Sequence, residues 1–140
     1  MIVDSLMHRG IITLPATHTV LQAAVMMRDR SIGSVVVTDA GGAPIGIVTE
    51  GDLARKVIAA GLAADGTALS AIMSRPLATI EPSAQIEEAA ERMRALKVKR
   101  LVVTMDGTVR GIITATDIAY AEPRLTASLM EGWVKSRWEG

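Results

Sequence analysis

The sequence predicts a mixed α+β fold: two β-α-β-β-α repeats packed sheet to sheet with pseudo-two-fold symmetry, followed by a C-terminal helix. Three observations predict it. The chain superposes on itself, its apolar residues recur at helical spacing in two matched places, and paired β-branched runs follow each of those places. At an offset of 66, Met7 meets Met73, Thr13 meets Thr79, Met27 meets Met93, and Val36-Val37-Thr38 meets Val102-Val103-Thr104. The offset then drops to 65, so that Gly46-Ile47 meets Gly111-Ile112, Thr49 meets Thr114 and Asp52 meets Asp117. The lost residue falls in the turn Ala40-Gly41-Gly42-Ala43, where a deletion disturbs least.

Each repeat opens with a short segment ending in Leu6-Met7 or Ile72-Met73. An extended stretch follows, Ile11 to Leu14 or Leu77 to Ile80, stopped by Pro15 or Pro82. Val20, Ala23, Ala24 and Met27, and their counterparts Ile86, Ala89, Ala90 and Met93, stand at i, i+3, i+4 and i+7, one stripe of an amphipathic helix. Thr17 and Ser83 are the expected N-caps. Two strands come next in each copy, joined by the turns Asp39–Pro44 and Asp106-Gly107-Thr108. A second helix opens at Thr49 and again at Thr114. The expected organisation is a first repeat over 1–60, a linker over 61–68, a second repeat over 69–122 and a helical tail over 123–140. Pro123 starts that tail, and Leu125, Leu129, Trp133 and Val134 form its apolar stripe. One copy alone has too few strands to cover both faces of a sheet; two copies can cover each other.

Composition narrows the function. The 140 residues carry zero formal net charge, which lacks the basic footprint of a nucleic-acid protein. Cysteine is absent, so thiolate metal sites and thiol nucleophiles are excluded. There is no Ser-His-Asp arrangement, no HExxH and no phosphate-binding Walker loop, so no catalytic residue is expected and the chain reads as no enzyme. His8 and His18 stand away from any carboxylate pair and are expected on the surface, with no metal site. No apolar run is long enough to span a bilayer and no signal peptide is evident, so a cytoplasmic location without membrane contact is the expectation.

The segments Gly46-Ile47-Val48-Thr49-Glu50-Gly51-Asp52-Leu53 and Gly111-Ile112-Ile113-Thr114-Ala115-Thr116-Asp117-Ile118 resemble the end of a CBS domain: glycine, two aliphatics, Thr or Ser, two variable residues, Asp, aliphatic. The stretches before Pro15 and Pro82 resemble the family's first strand. The resemblance covers about residues 3–58 and 69–120 and implies a Bateman module, here a stand-alone tandem CBS pair. Such pairs bind adenosine-containing effectors (AMP, ADP, ATP, S-adenosylmethionine, sometimes NAD) in two clefts, form homodimers, and modulate another protein, whose identity is unknown here. No obligatory cofactor is implied.

The residue types suit that ligand class. A carboxylate accepts hydrogen bonds from both hydroxyls of a ribose, and Asp52 and Asp117 stand in the first turn of a helix. Thr49 and Thr114, about one helical turn away, bring a hydroxyl and free backbone N–H groups suited to a phosphate. With no aromatic in the body of the chain, Ile12 and Val36, and Ile80 and Val102, are the candidate walls for an adenine, with backbone near Thr13 and Thr79 reading its edge. In the resemblance the cation for one repeat's phosphate comes from the other repeat. This implies Lys99 and Arg100 for the Asp52 cleft and only Ser34 for the Asp117 cleft, hence unequal sites that favour Asp52. Thr-x-x-Asp is also a capping box, a purely structural device. The alternative function is therefore an interaction module whose clefts are vestigial.

Overall fold

The computed structural model describes residues 1–131. The tail positions Trp133, Val134 and Trp138 lie outside the described residues. The regular elements are β1 (Thr13–Pro15), α1 (Val20–Arg30), β2 (Ser34–Thr38), β3 (Pro44–Thr49), α2 (Glu50–Asp52), β4 (Thr79–Ile80), α3 (Ile86–Leu96), β5 (Arg100–Met105), β6 (Thr108–Thr114) and α4 (Ala115–Ala121). The π-helical turn Leu53–Ile58 continues α2, and residues 126–131 are helical. No helix among the described residues is long and apolar enough to cross a membrane.

The elements form two three-stranded sheets, ordered β1-β2-β3 and β4-β5-β6. In each, the first strand runs parallel to the second and the second antiparallel to the third. The hairpin turns follow from local chemistry. Asp106 and Gly107 both take positive φ, as a two-residue turn requires, and Met105 pairs with Thr108 across it. In the longer turn Asp39 Oδ1 accepts from the backbone N–H of Gly41 and Ala43, each at 2.9 Å.

The helical stripes become the cores. Val20, Ala23 and Met27 are buried with Val35, Val37 and Val48, and Ile86, Ala89, Ala90 and Met93 with Leu101, Val103 and Ile113. Leu129 joins the second cluster, and Leu125, in a 3-10 turn that Pro123 opens, packs against it. The helix starts differ from expectation. Thr19, not Thr17, caps α1: its side chain accepts from Gln22 N while Gln22 Oε1 accepts from Thr19 N. The turn after Pro15 delays the start, and only Thr19 has a Gln three residues on. Ser83 caps nothing. α3 begins after Gln85 without a side-chain cap. Thr19→Ala is accordingly expected to cost about 1 kcal/mol by denaturant unfolding, and Ser83→Ala to lie within about 0.5 kcal/mol of neutral.

The compact units partition the chain differently from the sequence copies. Residues 11–77 form one; residues 1–10 join the residues from Ala78 onward to form the other. In each, the short segment that precedes one repeat packs on the other repeat. Val20 N donates to Thr67 O (2.9 Å) and Ile86 N to Met1 O (3.0 Å), so each first helix has its opening N–H capped by that segment's backbone. Further along, Ser74 exchanges two backbone hydrogen bonds with Ile47 (2.9 and 3.2 Å), and His8 exchanges two with Ile112 (2.8 and 2.9 Å). Val3 and Leu69, at matched positions, are both fully buried.

The motif glycines are explained by this crossing. A Cβ on Gly111 would stand 2.4 Å from His8 O and 3.0 Å from Met7 Sδ. A Cβ on Gly46 would stand 2.8 Å from Met73 Sδ and 3.0 Å from Ser74 O. Glycine is present because another backbone lies directly over it.

Candidate functional site

The two Thr-x-x-Asp corners are built alike at the backbone. Ser34 opens β2 opposite Thr49, which closes β3; Arg100 opens β5 opposite Thr114, which closes β6. Beyond each threonine the chain turns directly into a helix, with Thr49 and Thr114 as extended N-caps. Both corners are complete capping boxes. Asp52 N donates to Thr49 Oγ1 (3.2 Å) and Thr49 N to Asp52 Oδ2 (2.9 Å). Asp117 N donates to Thr114 Oγ1 (3.2 Å) and Thr114 N to Asp117 Oδ2 (2.9 Å). One oxygen of each carboxylate is therefore turned back on its own helix.

The second oxygens differ. Asp52 Oδ1 meets Lys56 Nζ at 3.2 Å, and Asp52 is buried, with a side chain 6% exposed. Asp117 Oδ1 meets His8 Nε2 at 2.8 Å, and the side chains are 18% and 64% exposed respectively. His8 was expected as a surface residue remote from carboxylates. It is exposed, but the crossing of residues 1–10 onto β6 carries its ring to Asp117. Lys56 was not expected at the site; standing four residues after Asp52, on the same helical face, it carried the one available signal.

The cations expected for the Asp52 cleft, Lys99 and Arg100, stand in the other unit from Asp52, beside Thr114. Lys99 and Arg100 line a pocket of ≈310 Å³ together with Thr114, Ala115 and Thr116. Within its own unit the Thr114 corner therefore borders both basic residues. The physical reason is the antiparallel register, which places the first residue of β5 across from the last of β6. Thr49 has Ser34 in that position, and Asp52 belongs to the other unit from Lys99 and Arg100.

Among the expected adenine walls, Ile80 is corrected. It is 2% exposed and belongs to the core cluster, because it occupies the position matched to Leu14, which is also core. Ile12 is half-buried against the core of its unit, and its carbonyl accepts from Val36 N at 3.0 Å. Val36 and Val102 are buried but alternate out of the clusters that hold Val35 and Val37, and Leu101 and Val103. Thr13 is exposed, and the Thr79 carbonyl accepts from the Arg92 guanidinium at 2.7 Å. A larger depression of ≈540 Å³, lined by Ile2, Asp4, Glu81 and Asp106 among others, contains none of the expected site residues.

Residues 3–59 and 69–124 match the family described as "CBS domain". An uncharacterized protein of Methanopyrus kandleri is 37% identical over 138 residues, 98% of this chain and 70% of that protein. A crystal structure of a conserved CBS domain protein of unknown function from Thermoplasma acidophilum superposes with a TM-score of 0.86 at 24% identity, over 98% of this chain and 76% of that one. A CBS domain protein from Pyrobaculum aerophilum complexed with AMP superposes with a TM-score of 0.80 at 24% identity, over 92% of this chain and 98% of that one. At that identity the last two comparisons bear on the fold alone.

Proposed function

The chain belongs to the CBS-domain family as a tandem pair, and from that premise we propose that it is a regulatory module that binds an adenosine-containing ligand of the AMP, ADP, ATP or S-adenosylmethionine class. In this reading it works as a homodimer in the cytoplasm, shifts shape on binding, and thereby modulates a partner protein without catalysis. The observation that carries the proposal is the Asp117 corner. Asp117 presents one carboxylate oxygen whose partner, His8, stands in solvent, and the Thr114 end of the same box borders a pocket with Lys99 and Arg100. A diol acceptor and two cations beside a helix start match the hydroxyls and phosphate of a nucleotide. The Pyrobaculum aerophilum protein complexed with AMP shares this fold, and the ligand class is carried over from it as part of the proposal.

Binding alone would not regulate. The ligand must favour one shape of the module over another by its differential affinity. A second reading, an interaction module with vestigial clefts, is favoured by Asp52, both of whose oxygens already have protein partners.

Thermal unfolding with AMP, ADP, ATP, S-adenosylmethionine and NAD separates the readings. A ligand at a hundred times its Kd stabilises by about 2.7 kcal/mol. Asp117→Asn, which keeps an acceptor for the Thr114 N–H, is expected to reduce that shift to near zero while the unliganded Tm changes little. No shift with any of the five ligands would favour the interaction module.

A further inference from the structure

Asp52 is the one buried charged or polar residue among the described residues, and its counterpart Asp117 is not buried. The two corners differ in the partner of the second carboxylate oxygen. Lys56 Nζ reaches Asp52 Oδ1 (3.2 Å), the backbone carbonyl of Ile72 (3.0 Å) and Ser74 Oγ (3.4 Å). An ammonium has three donors, and here each has an acceptor. The position matched to Lys56 in the second repeat is Ala121, which has nothing to offer a carboxylate.

We infer that Lys56, although its side chain is 42% exposed, plugs the Asp52 corner from within the same repeat. It holds the carboxylate oxygen that a ribose diol needs, so the Asp52 corner is closed and the chain carries one working nucleoside site, at Asp117. The inference rests on the nucleotide-binding reading above. At Asp52 Oδ1 a diol would compete with an ammonium that two further acceptors, the Ile72 carbonyl and the Ser74 hydroxyl, hold in place. A hydroxyl bond to the carboxylate lacks the ion-pair attraction that the ammonium adds. At Asp117 the competitor is one imidazole with one side-chain contact and a solvated ring, which a diol displaces at little cost. Lys56 is thus a specificity-determining residue: it sets how many ligands the pair accepts.

The test is calorimetric titration of AMP into the full chain. The wild type is expected to take up one AMP. Lys56→Ala, and Lys56→Gln, which keeps a neutral donor and protects the fold, are expected to take up two, and adding Asp52→Asn to either should return the count to one. Two AMP per wild-type chain, or folded Lys56 variants that still bind one, would overturn the inference. A wild type that takes up no AMP would count against the reading in the previous subsection instead. In that case a Lys56 variant that gains a site sensitive to Asp52→Asn upholds the plug, and a variant that gains none overturns it.

Discussion

Deletion of residues 1–9 is expected to abolish cooperative folding of the unit that begins at Ala78, although the deleted residues precede the other repeat. Val3 is fully buried and Met7 nearly so in that unit's core. Losing two such side chains removes about 3–6 kcal/mol of burial. The deletion also strips partners from buried backbone: Ile86 N loses Met1 O, Ala84 O loses Val3 N, and Ile112 loses both bonds to His8. Each orphaned buried group adds about 1–3 kcal/mol. Whole domains have only about 5–15 kcal/mol to lose. Hydrogen exchange is the appropriate measurement. Amides of α3 and β6 should lose more protection than those of α1 and β3, whose crossing segment is residues 67–74. Native-like protection in α3 after the deletion would contradict the account.

Among the glycines compared, Gly111→Ala should be the most damaging added methyl. Its Cβ would lie 2.4 Å from the His8 carbonyl oxygen. That atom cannot step aside freely, because His8 holds both rungs of the His8–Ile112 pair through its own N–H and C=O. Overpacking ordinarily costs about 1–3 kcal/mol; with backbone as the obstacle, about 3 kcal/mol or more is expected. Gly46→Ala meets first the sulfur of Met73 at 2.8 Å, which can rotate away, and should cost about 1–2 kcal/mol. Denaturant unfolding of the two variants side by side reads the difference. Equal costs would mean that the crossing segment yields as easily as a methionine side chain. Gly111→Ala is also expected to separate His8 from Asp117, so NMR should report a change in the His8 ring environment.

Much of the architecture was legible in the sequence because it is repeated. The paired helix stripes, the Asp106-Gly107 turn and the Thr-x-x-Asp corners each occur where periodicity and turn chemistry place them. The crossing of the opening segments was not legible, for a physical reason. Val3 and Leu69, or Met7 and Met73, occupy equivalent positions, so trading them between copies preserves every contact in kind. Apolar spacing reports which faces are buried, not which copy buries them. The partners of the two aspartates were hidden for the opposite reason. Lys56 is matched by Ala121 and His8 by Ser74, so a comparison of one repeat with the other passes over both. Ile80 was misplaced as a ligand wall because the repeat register, which equates it with the core residue Leu14, was not carried to that position.

The crossing has a consequence for how the chain is made. Residues 11–77 are contiguous, so the partners within that unit are all synthesised by Leu77, whereas residues 1–10 wait for α3 and β6. At synthesis rates of about 5–20 residues per second, Val3 and Met7 spend on the order of 5–20 s without their burial site. In that interval residues 1–10 are an unclaimed strip that carries Val3 and Met7, and the β6 of a neighbouring nascent chain offers it the same seat.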